Sequence, residues 1–137
     1  MITTNPVAVK SALVSVEENV ALNKPVESSA TSYGTTSNVN DGSESTLWES
    51  NKWAPQHDQF WQVDLQQQYE IKRIEVAIRQ FDANLTKDRC NFKVMASKTG
   101  NFTDEAEYQV IGIQGTQPFT GTKIVFNVTG LNREYRY

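Results

Sequence analysis

The chain has 137 residues, with 13 Lys and Arg against 16 Asp and Glu, a net charge of −3 and a single cysteine. That length suits one domain, since one core serves roughly 100 to 200 residues, and the basic residues are scattered rather than gathered into the stripe a phosphate backbone requires, which sets nucleic acid aside as a partner. No run approaches the roughly 18 to 20 apolar residues of a spanning helix, and the first twenty residues lack a basic segment followed by an apolar one. The expectation is a soluble piece whose signal peptide has been removed or lies upstream.

In chain order, residues 1–18 mix Thr, Asn, Pro and Ser with broken apolar alternation and read as a linker or N-terminal tail, leaving 19–137 as the domain. From Val20 onward, short apolar or alternating runs are separated by Gly, Asn, Asp and Pro, the punctuation of a sandwich or barrel. Ser28 to Gln59 is polar yet carries Trp48 and Trp53. A loop of that length in a compact domain is functional or disordered, and two tryptophans favour function. Trp48 is expected to pack beneath the loops, because indole buries a large apolar area and needs one acceptor. In Trp61 to Leu65, alternation turns Trp61, Val63 and Leu65 to the core, while Asp64 points away or caps a turn.

The clearest strand is Ile71 to Arg79, with Ile74, Val76 and Ile78 on one face and Glu75, Ala77 and Arg79 on the other. Phe92, Val94 and Ala96 alternate likewise, as do Ile124, Phe126 and Val128, and Tyr108 to Ile113 is a further candidate. Lys98 to Asn101 and Gln114 to Gln117 supply turn chemistry between them. Cys90 reads as a small packed hydrophobe, since a nucleophilic thiol needs a base and the only histidine, His57, lies in a segment of different character. Five or six short strands without intervening helices predict an all-β domain of antiparallel sheets.

The order of motifs, Asn19 to Pro25, Asn38-Val-Asn-Asp-Gly42, Thr46-Leu-Trp-Glu-Ser50 and Phe60-Trp-Gln-Val-Asp-Leu65 followed by Ile71 to Ile78, resembles the discoidin or coagulation factor 5/8 type C family. Its bacterial members include family 32 carbohydrate-binding modules, and the fucose-binding lectins are similar. The resemblance runs from Asn19 to Tyr137 and implies an antiparallel β-sandwich of the jelly-roll, galactose-binding-domain-like kind. Its members bind galactosides, fucose, amino sugars, phospholipid headgroups or proteins, so the fold alone does not choose the ligand.

The stretch Asn38 to Thr46 offers a tight turn at Gly42 with a carboxylate, hydroxyls and carbonyls around it, the oxygens a hard cation takes. The resemblance implies structural calcium here, held by the Asn38 carbonyl, the Asp41 carboxylate, the Ser43 carbonyl and the hydroxyl and carbonyl of Thr46; the alternative is an Asx-type turn without metal. It also implies a final pair of strands with a glutamate completing the metal shell. The sequence as given stops at Tyr137. The missing strands are therefore expected either from a second chain or peptide completing the sandwich edge, or from residues 1–18 folding back.

A sugar presents directed hydroxyls and one apolar C–H face, so its site combines an aromatic platform with paired donors and acceptors. The resemblance places such residues on two loops at one end, which here supply Glu49, Trp53, His57 and Asp58, then Arg79, Phe81, Asp82, Asn84 and Arg89. By position His57, Arg79 and Arg89 match the histidine and two arginines of the fucose-binding lectins, with a longer spacing between the arginines and without the intervening cysteine pair. Trp53 or Phe81 is the candidate stacking platform. Three Asn-X-Thr acceptors, at Asn84, Asn101 and Asn127, matter only in a eukaryotic secretory host.

Glu49 and Asp82 could face each other across the loops as a carboxyl pair, but catalysis is set aside because loop ends of a small sandwich lack the water-excluding cleft that shifts a carboxyl pKa. The acidic balance disfavours anionic lipid headgroups. The reading is a non-enzymatic module for galactose-type or amino-sugar termini, accessory to a larger secreted or surface protein. The alternative is a discoidin domain for cell adhesion or for binding protein or phospholipid.

Overall fold

The computed structural model describes residues 17–29, 31–50, 59–78, 89–130 and 134–137. Among these the chain forms ten short strands and one turn of 3-10 helix. β1 (Val26–Ser28), β2 (Thr31–Tyr33), the helical turn (Thr36–Val39) and β3 (Glu49–Ser50) come first, then β4 (Trp61–Val63), β5 (Tyr69–Glu70) and β6 (Arg73–Ala77). β7 (Phe92–Ser97), β8 (Tyr108–Gln114), β9 (Lys123–Asn127) and β10 (Glu134–Tyr135) complete it. Every pairing among the described strands is antiparallel: β1 with β4, β2 with β3, β5 with β10, β6 with β9 and β7 with β8. No helix of the described residues is long and apolar enough to cross a membrane.

The period-two pattern decides which residues face inward. In β6, Ile74 and Val76 are half-buried while Arg73, Glu75 and Ala77 are exposed, and across the ladder Ile74 opposes Phe126 and Val76 opposes Ile124. Ala96, Val128 and Tyr135 form the buried centre, with Ile71, Ile74 and Ile111 packed against it. The β8 strand approaches β9 so closely that the Phe126 ring occupies the space a side chain at position 112 would take, which is why glycine stands there.

Trp61 departs from expectation. Leu65 is buried and Val63 half-buried, but Trp61 is 39% exposed. It opposes Ser28 at the end of a three-residue ladder, and alternation alone does not supply a core for a side chain at a sheet's end. Cys90 is half-buried just before β7, with the Asn91 side-chain amide 3.4 Å from its sulfur. Residues 1–16, most of the expected tail, lie outside the described residues.

The far end of the domain is a polar junction. Ser97, fully buried, donates its hydroxyl to the Glu107 carbonyl and accepts the N–H groups of Thr99 and Gly100, while its backbone exchanges bonds with Arg136 and Tyr137. Arg136 in turn grips Asp64 bidentately, at 2.7 and 2.8 Å. Asp64 also caps a turn by accepting the Gln66 N–H, 2.7 Å away. This Arg136 pairing, with the Gln66 bond, holds the Asp64 carboxyl below the ordinary value of 3.8.

A carboxyl with a lowered folded pKa stabilises the fold above its unfolded value and loses that contribution as pH falls through the folded one. Asp64→Asn is therefore expected to cost about 1 kcal/mol at neutral pH, with the gap between variant and parent closing as pH drops below about 4. Urea midpoints at pH 7, 5 and 3 check this; a gap constant with pH counts against the pair.

Candidate functional site

The Gly34 to Leu47 loop is built around one close backbone contact. Gly34 has φ +74°, and an added Cβ would sit 2.0 Å from the Leu47 carbonyl oxygen, so only glycine fits. The Asn38 Nδ2 donates to that same carbonyl at 2.8 Å, and the Thr35 hydroxyl donates to the Asn38 Oδ1 at 3.0 Å. Asn40 supplies a tie to which the sequence assigned no role: its Nδ2 donates to the carbonyls of Ala21 and Lys24 at 2.7 and 2.9 Å, and its own carbonyl accepts the Asn23 N–H. Nothing local separates Asn40 from its polar neighbours, because its partners lie far back in the chain.

Within that frame Gly42 turns the chain at φ +80°. Asp41 accepts the Ser43 N–H at 2.8 Å through one oxygen and the Thr46 hydroxyl at 2.7 Å through the other. The Thr46 hydroxyl lies 3.2 Å from the Ser43 carbonyl. Three of the oxygen groups expected around a cation thus meet at one point, and the bonds from Thr46 and Ser43 hold the Asp41 carboxyl below its ordinary value. The fourth residue, Asn38, spends its side chain on Leu47, which leaves its carbonyl as the group a cation would use. Hard oxygens of this kind suit calcium. The set holds a single carboxylate, and no cluster of three His, Cys, Asp or Glu occurs among the described residues. Glu44, on the same loop, is spent on Lys123 of β9 at 2.9 Å.

Of the expected ligand contacts, Trp53, His57, Arg79, Phe81 and Asn84 lie outside the described residues. Their flanks do not. Ser50, before 51–58, opposes Thr31, and after that segment the Phe60 N–H and the Gln59 Oε1 both engage the Ser29 hydroxyl at 3.0 Å. Before 79–88, the Ile78 N–H donates to the Thr122 carbonyl at 2.8 Å; after it, the Arg89 carbonyl accepts the Phe119 N–H at 3.0 Å.

Strand direction gives the described residues that follow both segments a common orientation. β4 runs from Trp61 toward Asp64, and β7 from Phe92 toward Ser97; Asp64 and Ser97 both meet Arg136. The starts of β4 and β7 lie away from that junction. Two clefts, of about 300 and 370 Å³, lie at the junction end instead, one lined by Asp64 and Tyr137, the other by Tyr108 and Tyr135.

Glu49 and Arg89 are the expected ligand contacts that are described. Glu49 is half-buried in β3, directly before Ser50. Arg89, expected among exposed loop residues, is 2% exposed; its Nε donates to the Phe119 carbonyl at 2.6 Å and its terminal nitrogen to the Gly121 carbonyl. The guanidinium is a strut inside the loop 115–122, where two carbonyls offer better partners than water does to a charge already enclosed. Trp48 is half-buried as expected, and its indole N–H donates to the Thr31 hydroxyl at 2.7 Å, fastening β2 to β3.

Among solved structures the chain is similar to CpGH89CBM32-4 produced by Clostridium perfringens. The selenomethionine-labelled form matches at TM-score 0.64 and 20% identity, over 88% of this chain and 79% of that one. Its complex with GlcNAc-α-1,4-galactose matches at TM-score 0.56 and 24% identity, over 88% and 85%. The lectin domain of lectinolysin, complexed with Lewis B antigen, matches at TM-score 0.54 and 22% identity, over 88% and 86%. These likenesses establish the fold as the β-sandwich expected. No curated protein matches the sequence. The family model for the F5/8 type C domain matches residues 24–135, most of the chain. The chain therefore belongs to the F5/8 type C domain family.

Proposed function

We propose that this domain is a non-catalytic glycan-binding module whose site lies at the end where 51–58 and 79–88 leave the strands. The observation that supports the reading is the common direction of β4 and β7 in an F5/8 type C fold, which puts their described starts away from the Arg136 junction. Those segments carry Trp53, His57, Arg79, Phe81 and Asn84, with Glu49 at the edge: aromatic platforms beside charged and amide groups, the combination a pyranose takes. The sugar complexes of the two similar proteins support the same reading.

Galactose-type or amino-sugar termini are the ligands proposed, and the parent is a secreted or surface protein to which this domain is an accessory. Calcium is proposed as a structural ion, held by Asp41, Ser43, Thr46 and the Asn38 carbonyl, where it would neutralise the Asp41 charge and stiffen the 34–47 loop. Affinity falls in the micromolar to millimolar range, because a shallow site on one monosaccharide yields only about 4 to 8 kcal/mol.

Titration calorimetry with galactose and with GlcNAc-α-1,4-galactose, backed by a glycan array, tests this. Saturable binding is expected, weakened at least about tenfold by Arg79→Ala with unchanged melting. EDTA is expected to lower the melting temperature. No signal from any glycan would overturn the reading, and a melting curve indifferent to EDTA and to added calcium would remove the ion.

A further inference from the structure

A bulge in the β2–β3 pair puts an unassigned aromatic side chain on the same face as a carboxylate of β3. Thr31 opposes Ser50 and Tyr33 opposes Glu49, so two steps along β2 correspond to one along β3. Residues directly opposite in an antiparallel pair share a face, with Cβ atoms about 4.5 to 5.5 Å apart. Without the extra residue, Thr31 and Tyr33 would lie on the same face; the bulge re-aims Tyr33 to the face of Glu49 instead. The bond from the Trp48 indole to Thr31 is consistent with this, since Trp48, Ser50 and Thr31 then share the opposite face.

Tyr33 is 63% exposed, the most open aromatic side chain among the described residues. Among those residues neither it nor the Glu49 side chain has a hydrogen-bond or ion-pair partner. The support beneath them is stiff: Gly34 follows Tyr33 directly and is locked on the Leu47 carbonyl, which Asn38 also holds. An exposed ring carried on a fixed backbone needs little rearrangement of the chain on binding.

Resting on the glycan-binding reading above, we infer that Tyr33 and Glu49 form a sugar subsite of this domain. The phenol ring takes the apolar C–H face of a pyranose, and the Glu49 carboxylate accepts two of its hydroxyls. The subsite lies on the β2–β3 pair itself.

The test is calorimetry of the full chain with galactose and with GlcNAc-α-1,4-galactose for the parent, Tyr33→Ala, Tyr33→Phe and Glu49→Gln, with melting curves for each. Tyr33→Ala is expected to bind at least one of the two sugars roughly five- to tenfold more weakly, Tyr33→Phe to keep the parent affinity and Glu49→Gln to weaken binding, all with parental melting. Parent-like binding of both sugars by Tyr33→Ala would overturn the subsite while leaving the glycan reading intact. Failure of the parent to bind any sugar would overturn both. Should Tyr33→Ala melt early, loss of the phenol's chemical-shift perturbation by sugar in the parent's NMR spectrum decides against the subsite, and its presence in favour.

Discussion

Gly34→Ala is expected to destabilise the domain by at least about 3 kcal/mol, a large part of the roughly 5 to 15 kcal/mol that keeps a domain folded. Two costs combine. The backbone sits at φ +74°, which an L side chain adopts only with strain, and the new Cβ would press on a backbone carbonyl at 2.0 Å. That oxygen cannot swing aside as a side-chain tip could, because Leu47 is held by Asn38. Relief requires moving the 34–47 loop, which carries Asp41, Ser43 and Thr46 and positions Tyr33 and Glu49. Asn38→Ala, which removes the clamp and the bond from Thr35 but adds no clash, is expected to cost about 1 kcal/mol. Denaturant midpoints for the two variants check the order; a Gly34→Ala protein as stable as its parent would mean that the loop does not have this conformation.

The second large effect is expected from Arg89→Ala, at about 2 to 4 kcal/mol of stability, because the carbonyls of Phe119 and Gly121 lose a charged donor in a buried setting. Arg89→Lys should rescue little, since one ammonium on a flexible stem does not reproduce the planar fork that spans two acceptors. The same variant separates two roles for this residue. A ligand contact, once removed, leaves melting unchanged and abolishes binding. A strut lowers melting, and glycan binding then falls only with the folded fraction. Melting curves beside glycan titrations decide it, and parental melting with lost binding would return Arg89 to the ligand site.

Both effects bear on the sandwich as a scaffold. The described core is small, with Ala96, Val128 and Tyr135 at its centre, and much of the cohesion comes from side chains that bind distant backbone: Asn38 on Leu47, Asn40 on Ala21 and Lys24, Arg89 on Phe119 and Gly121, Ser97 on Glu107. Short strands pair over few residues and leave many carbonyls to be satisfied by such clamps. Loops held in this way inherit their rigidity from polar ties, and single substitutions in them should loosen the loops before they unfold the domain.

What the residues determined by themselves is what period and turn chemistry can encode. The alternation Ile74 and Val76, then Ile124, Phe126 and Val128, specifies strand and inward face, since both follow from the local pleat. Gly42 beside Asp41 specifies a turn, and Asp41 with Ser43 and Thr46 are near enough in the chain to meet through it. Asp64 was legible as a turn cap for the same reason. Its grip on Arg136, far along the chain, was not.

Tertiary structure alone decided the rest. A charged side chain reads as exposed until a fold encloses it, so the burial of Arg89 against the Phe119 and Gly121 carbonyls was not legible. A tryptophan on an alternating strand reads as core, yet Trp61 stands at a sheet's end with too little above it. The face of Tyr33 turned on one extra residue in β2, and a bulge is a property of the pairing between two strands, so neither strand's own sequence announces it.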